Sequence, residues 1–232
     1  MSSHDDLKAL YPFLHGKAQE PARLEAALLH SVEEKARDSR ETNARYFGGQ
    51  AATLVAAAKA IADVYRKGGR LFSMGNGGSS CDASRVAVEF VHPITAGRPA
   101  LAAINLVADL AMISAVGNDV GFEHVFVRQI IAQGKAGDGL IGISTSGNSD
   151  NLAQAFRTAK DMGLKTIGLA GGTGGKMANA GLDHCLVVAT DSIHRVQECH
   201  VMIYHILWDL VHTLLADHRG RLTDGPEAKD GE

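Results

Sequence analysis

The chain has 232 residues, 45% of them hydrophobic, and a net charge of -3 from 23 basic and 26 acidic side chains. That is enough apolar material for one α/β domain with a full core, and it argues against disorder. The two signs of charge are interspersed along the chain, which excludes the electrostatic footprint of a nucleic-acid or anionic-membrane binder.

Residues 1–20 mix charges with Pro12 and Gly16, show little periodicity, and read as an arm without chemistry. Neither a basic leader nor any run near the ~18 apolar residues of a membrane span is found, so the expected location is the cytoplasm. Cys81, Cys185 and Cys199 lack CxxC spacing, which fits reduced thiols in that compartment. Pro21 suits the first turn of a helix, and the charged stretch "EEKARDSRE" at Glu33 to Glu41 reads as its solvated face. Leu54, Val55, Ala58, Ile61, Ala62 and Tyr65 recur at helical period up to "KGG", where Gly68 can supply a left-handed cap. Two N-terminal helices are therefore predicted.

Beyond them, the apolar runs "RLFSM", "LAAINL", "GLIGIS", "KTIGLA" and "HCLVVA" alternate with helical segments such as "DNLAQAFRTAKDMG". This rhythm predicts a mostly parallel sheet covered on both faces. Ile203, Ile206, Leu207, Leu210, Val211 and Leu214 mark a last amphipathic helix, followed by a polar tail. The expected organisation is an arm (1–20), one domain (21–218) and a tail (219–232).

Ligands of an open parallel sheet bind beyond the carboxyl ends of its strands. Two predicted strand ends carry unusual loops. "GNGGSS" after "RLFSM" lets the backbone approach a ligand ahead of a helix, but it matches neither GxGxxG nor a Walker A loop, and a tight connection would explain it equally well. "STSGNS", Ser144 to Ser149, places four hydroxyls before a helix N-terminus. Hydroxyls and backbone N–H groups there suit a phosphate monoester, whereas a helix cap would need only one of them. Glu89 lies among Val86, Val88, Phe90 and Val91, an apolar setting that makes its charge costly without a partner. Arg85, one turn earlier, offers a plain salt bridge. In the last helix Gln197, Val201 and His205 form an i, i+4, i+8 row that can present two polar groups to one pocket.

Together, "GNGGSSCDA", Glu89, "VGND" (Val116 to Asp119), "ISTSGNS", "GGTGGKMA" (Gly171 to Ala178) and "RVQECH" followed by His205 resemble the sugar isomerase (SIS) domain, and within it the phosphoheptose isomerases, over residues 45–216. The resemblance implies a flavodoxin-like αβα sandwich with a five-stranded parallel sheet, extra N-terminal helices, and a homotetramer with sites between subunits. It implies phosphate held by Ser144, Ser146 and Ser149, with Thr145 and Asn148 shaping the loop. Asn76, Gly77, Gly78 and Ser79 would line the sugar end, and Asp119 would meet sugar hydroxyls. Glu89 and His205 match the family's acid/base pair, and Gln197 the glutamine that joins them around a divalent metal, usually zinc.

One ligand position departs: Arg85 stands where the family has a histidine, and a guanidinium has no lone pair for zinc. Three of four ligands remain, Glu89, Gln197 and His205, which points to loss of the metal unless His92 or His200 substitutes. His194 also replaces an expected aspartate. The implied activity is aldose–ketose isomerisation of a sugar phosphate such as sedoheptulose 7-phosphate. The alternatives are a noncatalytic tetramer that binds proteins, like the replication-initiator-associating relatives, and a sugar-phosphate sensor.

Overall fold

The computed structural model describes residues 21–95 and 97–216, so the predicted arm and tail lie outside the described residues. The chain divides into two units, one ending at Glu41 and the other beginning at Thr42. One helix, α1 (Pro21–Arg66), stands where the sequence predicts two. Gly48 and Gly49, near its middle, each cost about 1 kcal/mol relative to alanine but do not force a break. The charged stretch is solvated as predicted, with Arg37 paired to Glu34 at 3.5 Å and to Glu41 at 3.9 Å. At its far end α1 closes as expected: Gly68 has φ 72°, Gly68 N–H donates to Tyr65 O, and Gly69 N–H donates to Val64 O.

The second unit holds the five predicted strands, β1 (Leu71–Gly75), β2 (Ala103–Asn105), β3 (Gly139–Ser144), β4 (Lys165–Gly171) and β5 (His184–Val188), all parallel in the order β2-β1-β3-β4-β5. It is the flavodoxin-like αβα arrangement, because neighbouring residues on each strand feed opposite faces. Leu71, Ile141, Ile143, Ile167 and Leu169 pack with α1, with α2 (Gly78–Val91) and with α7 (Ile193–Leu215). Phe72, Met74, Leu140 and Ala170 pack on the other face with α3 (Leu110–Asp119), α4 (Val127–Gln133) and α5 (Asp150–Asp161). Burial on both faces is why these strands read as unbroken apolar runs. A one-turn helix, α6 (Gly175–Ala178), follows β4. None of the described helices is long and apolar enough to cross a membrane, and all three cysteines are free.

The order reverses between β1 and β3: β1 leads to β2 on one side, and β3 leads to β4 on the other. The helices after these two strands, α2 and α5, therefore lie on opposite faces and leave a crevice above the carboxyl ends of β1 and β3.

Asp183 ties the approach to β5 back to β4. Its Oδ2 accepts from Thr166 N at 2.9 Å and from Thr166 Oγ1 at 2.9 Å, and Oδ1 accepts from Lys165 Nζ at 2.8 Å. Burial alone would raise its carboxyl, but the bonds from Lys165 and Thr166 hold it down to about 2. A carboxyl lowered from 3.8 stabilises the fold above that pH and loses the contribution as pH falls through about 2. Asp183→Asn should cost roughly 1–2 kcal/mol at pH 7, measured by urea unfolding, with a gap to the parent that closes toward pH 2.

Candidate active site

The loop after β1 turns at Gly77, φ 53°, a conformation suited to glycine, and Gly78 opens α2. A Cβ on Gly78 would strike the Gln197 carboxamide of α7. This close approach starts a seam in which α2 and α7 run side by side in the same direction. One turn along α2, Asp82 meets Tyr204 of α7. Farther on, Glu89 meets His205 and Trp208. Gln197 and His205, two members of the i, i+4, i+8 row, thus both lie against α2.

Glu89 is 8% exposed. Its Oε1 accepts from Arg85 Nε at 2.6 Å and lies 3.7 Å from His205 Nε2. Its carbonyl accepts from Trp208 Nε1 at 2.8 Å, and the Trp208 ring is stacked beneath Arg98, whose Cζ is 4.3 Å from the ring centroid. The plain ion pair is therefore present, and the same Glu89 oxygen faces His205. Arg85 fixes the Glu89 carboxylate and Trp208 its backbone carbonyl, while the His205 side chain is 41% exposed.

The resemblance implies a four-ligand zinc, and these residues do not fit one. Arg85 brings a permanent cation to the very Glu89 oxygen that faces His205. His200 does not substitute: it is fully buried, with Nε2 3.2 Å from Ala170 O at the end of β4. His92 sits at the C-terminal end of α2. Among the described residues, no group of three or more His, Cys, Asp or Glu is placed to hold a metal.

The second loop follows β3 on the other side of the crevice. Ser144 Oγ lies 3.1 Å from Ser149 Oγ and accepts from Gly147 N at 3.1 Å, while Ser146 Oγ accepts from Asn148 N at 3.2 Å. Ser149 stands at the N-cap of α5 without a side-chain cap bond, so the plain capping explanation of these hydroxyls does not hold there. The uncapped first turn keeps its positive potential. Gly147, φ 67°, backs onto the Gly174 carbonyl with no room for a Cβ. Asn148 Oδ1 accepts from Lys176 N at 3.1 Å, which ties the loop to the "GGTGG" turn after β4. Thr145, Ser146 and Asn148 line a cavity of about 290 Å³ with Thr173, Thr190 and Asp191.

The last three were not singled out from sequence. Applying the strand-end rule to β4 and β5 as well would have found them. Asn151 was also missed: its carboxamide exchanges two hydrogen bonds with that of Asn76, each 2.9 Å. Ser79 is buried at the first turn of α2. Asp119 lies apart from these groups, in a groove with Val116, Val120, Arg128 and Ile131, where it accepts from Asn118 Nδ2 at 2.8 Å.

The arrangement pairs a hydroxyl-rich helix N-terminus suited to an oxyanion with a carboxylate–imidazole pair suited to proton transfer, on a doubly wound sheet. A family model described as the SIS domain matches residues 36–171. The phosphoheptose isomerase of Aneurinibacillus thermoaerophilus is 46% identical over 155 residues, 67% of this chain and 77% of that one. That of Chlorobium phaeovibrioides is 42% identical over 190 residues, 81% of this chain and 85% of that one. The structure of phosphoheptose isomerase GmhA from Neisseria gonorrhoeae superposes with a TM-score of 0.75 at 35% identity, covering 80% of this chain and 99% of that one. This chain belongs to the SIS domain family. The relatives it matches at 40–46% identity carry the name phosphoheptose isomerase.

Two measurements check the seam. Burial pushes the Asp82 carboxyl up to about 6, against the opposing effect of its hydrogen bond with Tyr204. A carboxyl raised from 3.8 gives a stability that is complete below about pH 4 and lost as pH rises through about 6. Asp82→Asn should therefore melt at a higher temperature than the parent at pH 8, by an amount worth about 1–2 kcal/mol, and at the same temperature near pH 4. Arg85→His restores an imidazole one turn from Glu89. Calorimetry should show this variant binding Zn(II) at least about tenfold more tightly than the parent.

Proposed function

We propose that the chain is a sugar-phosphate isomerase, an intramolecular aldose–ketose isomerase that acts on sedoheptulose 7-phosphate or a close ketose phosphate through an enediol. The observation that carries this reading is the Glu89–His205 pair, 3.7 Å apart, on the helix seam that starts beside the crevice. The relatives' name supports the same class of substrate.

In this reading the phosphate is the handle. Ser144, Ser146 and Ser149 donate to it with the first N–H groups of α5, and Thr145 and Asn148 hold the loop's shape. Gly77, Gly78 and Ser79 line the sugar end, with Asn76 beside them and Gln197 across from them. One of Glu89 and His205 takes the proton from the carbon next to the carbonyl. The C–H electrons form the enediol double bond, and the other group protonates the carbonyl oxygen. Returning the proton to the neighbouring carbon, while the second hydroxyl gives up its own, completes the exchange without an external oxidant or reductant. Arg85, bonded to Oε1, sets the direction in which Oε2 points.

The working form is proposed to be a cytoplasmic homotetramer with sites between subunits. Val88, Val91 and Met202 are exposed on α2 and α7 beside the acid/base pair, and a second subunit would cover them. Leu24, Leu28, Leu29 and Val32 form a further exposed stripe in the first unit. Asp119 would then meet sugar hydroxyls only from a neighbouring copy.

Incubation with sedoheptulose 7-phosphate should give an aldose phosphate, followed by NMR. Glu89→Gln and His205→Ala should each lower kcat by roughly 10²–10⁴-fold. Full activity in both variants would sink the assignment. No turnover of any seven-carbon ketose phosphate, with capture of a replication initiator, would favour the protein-binding alternative.

A further inference from the structure

The loop carrying Asn76 belongs to β1 and α2, and Asn151 belongs to the first turn of α5, on the opposite face of the sheet. Their carboxamides meet across the crevice. Asn76 Nδ2 donates to Asn151 Oδ1 and Asn151 Nδ2 donates to Asn76 Oδ1, both at 2.9 Å. Asn151 is 3% exposed, so water cannot replace a lost partner, and its Oδ1 also accepts from Leu152 N at 3.0 Å. Asn76 in turn lies two residues before α2, the helix that carries Glu89.

We propose that Asn151 is a positioning residue: its clasp with Asn76 sets the register between the phosphate-binding turn and the helix that delivers Glu89. The inference rests on the isomerase reading above. A substrate anchored by its phosphate at α5 presents its reacting carbons at the other end, so a slip between α5 and α2 misplaces those carbons against Glu89. Small errors of this kind cost rate rather than affinity, because the phosphate contacts remain intact. The clasp therefore acts on kcat and leaves KM alone.

The test is a double-mutant cycle with Asn76→Ala, Asn151→Ala and the pair, assayed as the intact full chain. Each single variant is expected to lower kcat about tenfold, and the pair by the same factor, because either change breaks the whole clasp. KM, and the inhibition constant of inorganic phosphate, should stay within about twofold of the parent in all three. Asn151→Asp keeps Oδ1 as acceptor and loses one donor. It should lower kcat about threefold, and it carries the test if the alanine variant does not fold. An additive cycle, with the pair down about a hundredfold, overturns the clasp. So does a raised KM with unchanged kcat, or a lowered melting temperature with unchanged kinetics. If the unaltered chain turns over no ketose phosphate, the isomerase reading falls and takes the clasp with it.

Discussion

Everything in the site follows from the reversal of strand order between β1 and β3. Parallel strands need crossover helices, and right-handed crossovers that proceed in opposite directions from two adjacent strands put their helices on opposite faces of the sheet. Here that sends α2 to the face packed by α1 and α7, and α5 to the face packed by α3 and α4. The two helix N-termini flank one crevice, so an anion held by one and a carboxylate carried by the other can serve a single substrate.

The α2–α7 seam does the complementary work. It begins where Gly78 leaves no room for a side chain beside Gln197 and reaches Glu89, His205 and Trp208 farther along. Glu89 would be expensive to bury alone. Arg85 answers that cost from the same helix, and Trp208 braces the Glu89 backbone from the other, with Arg98 over its ring and bonded to Asp209 at 2.5 Å. A guanidinium on the carboxylate is where this chain parts from the metal site that the sequence resemblance implies.

The hydroxyl-rich loop after β3 shows a different economy. Its hydroxyls are bonded to its own turn, its glycine backs onto the next loop, and its helix N-terminus is left uncapped by Ser149. A loop held in shape by internal bonds loses little entropy when an anion arrives, which favours affinity from few contacts. The Asn76–Asn151 pair extends that preorganisation across the crevice.

The sequence alone determined the five strands, because burial on both faces leaves unbroken apolar runs; it also marked the hydroxyl loop by its density of hydroxyls, Glu89 by its charge among apolar neighbours, and Gln197 and His205 by their spacing on one helix face. It misjudged α1 as two helices, since a charged stretch followed by an apolar stripe marks a change in surroundings along the chain without requiring a break in the helix. Tertiary structure decided the rest. Asn151 lies 75 residues from Asn76 in sequence, so nothing local marks either as the other's partner. Likewise Thr190 and Asp191 join the hydroxyl loop only through strand order, and the sharing of Glu89 Oε1 between Arg85 and His205 exists only once α2 and α7 lie side by side. Periodicity records which face a residue occupies; which faces meet is set by packing between segments far apart in the chain.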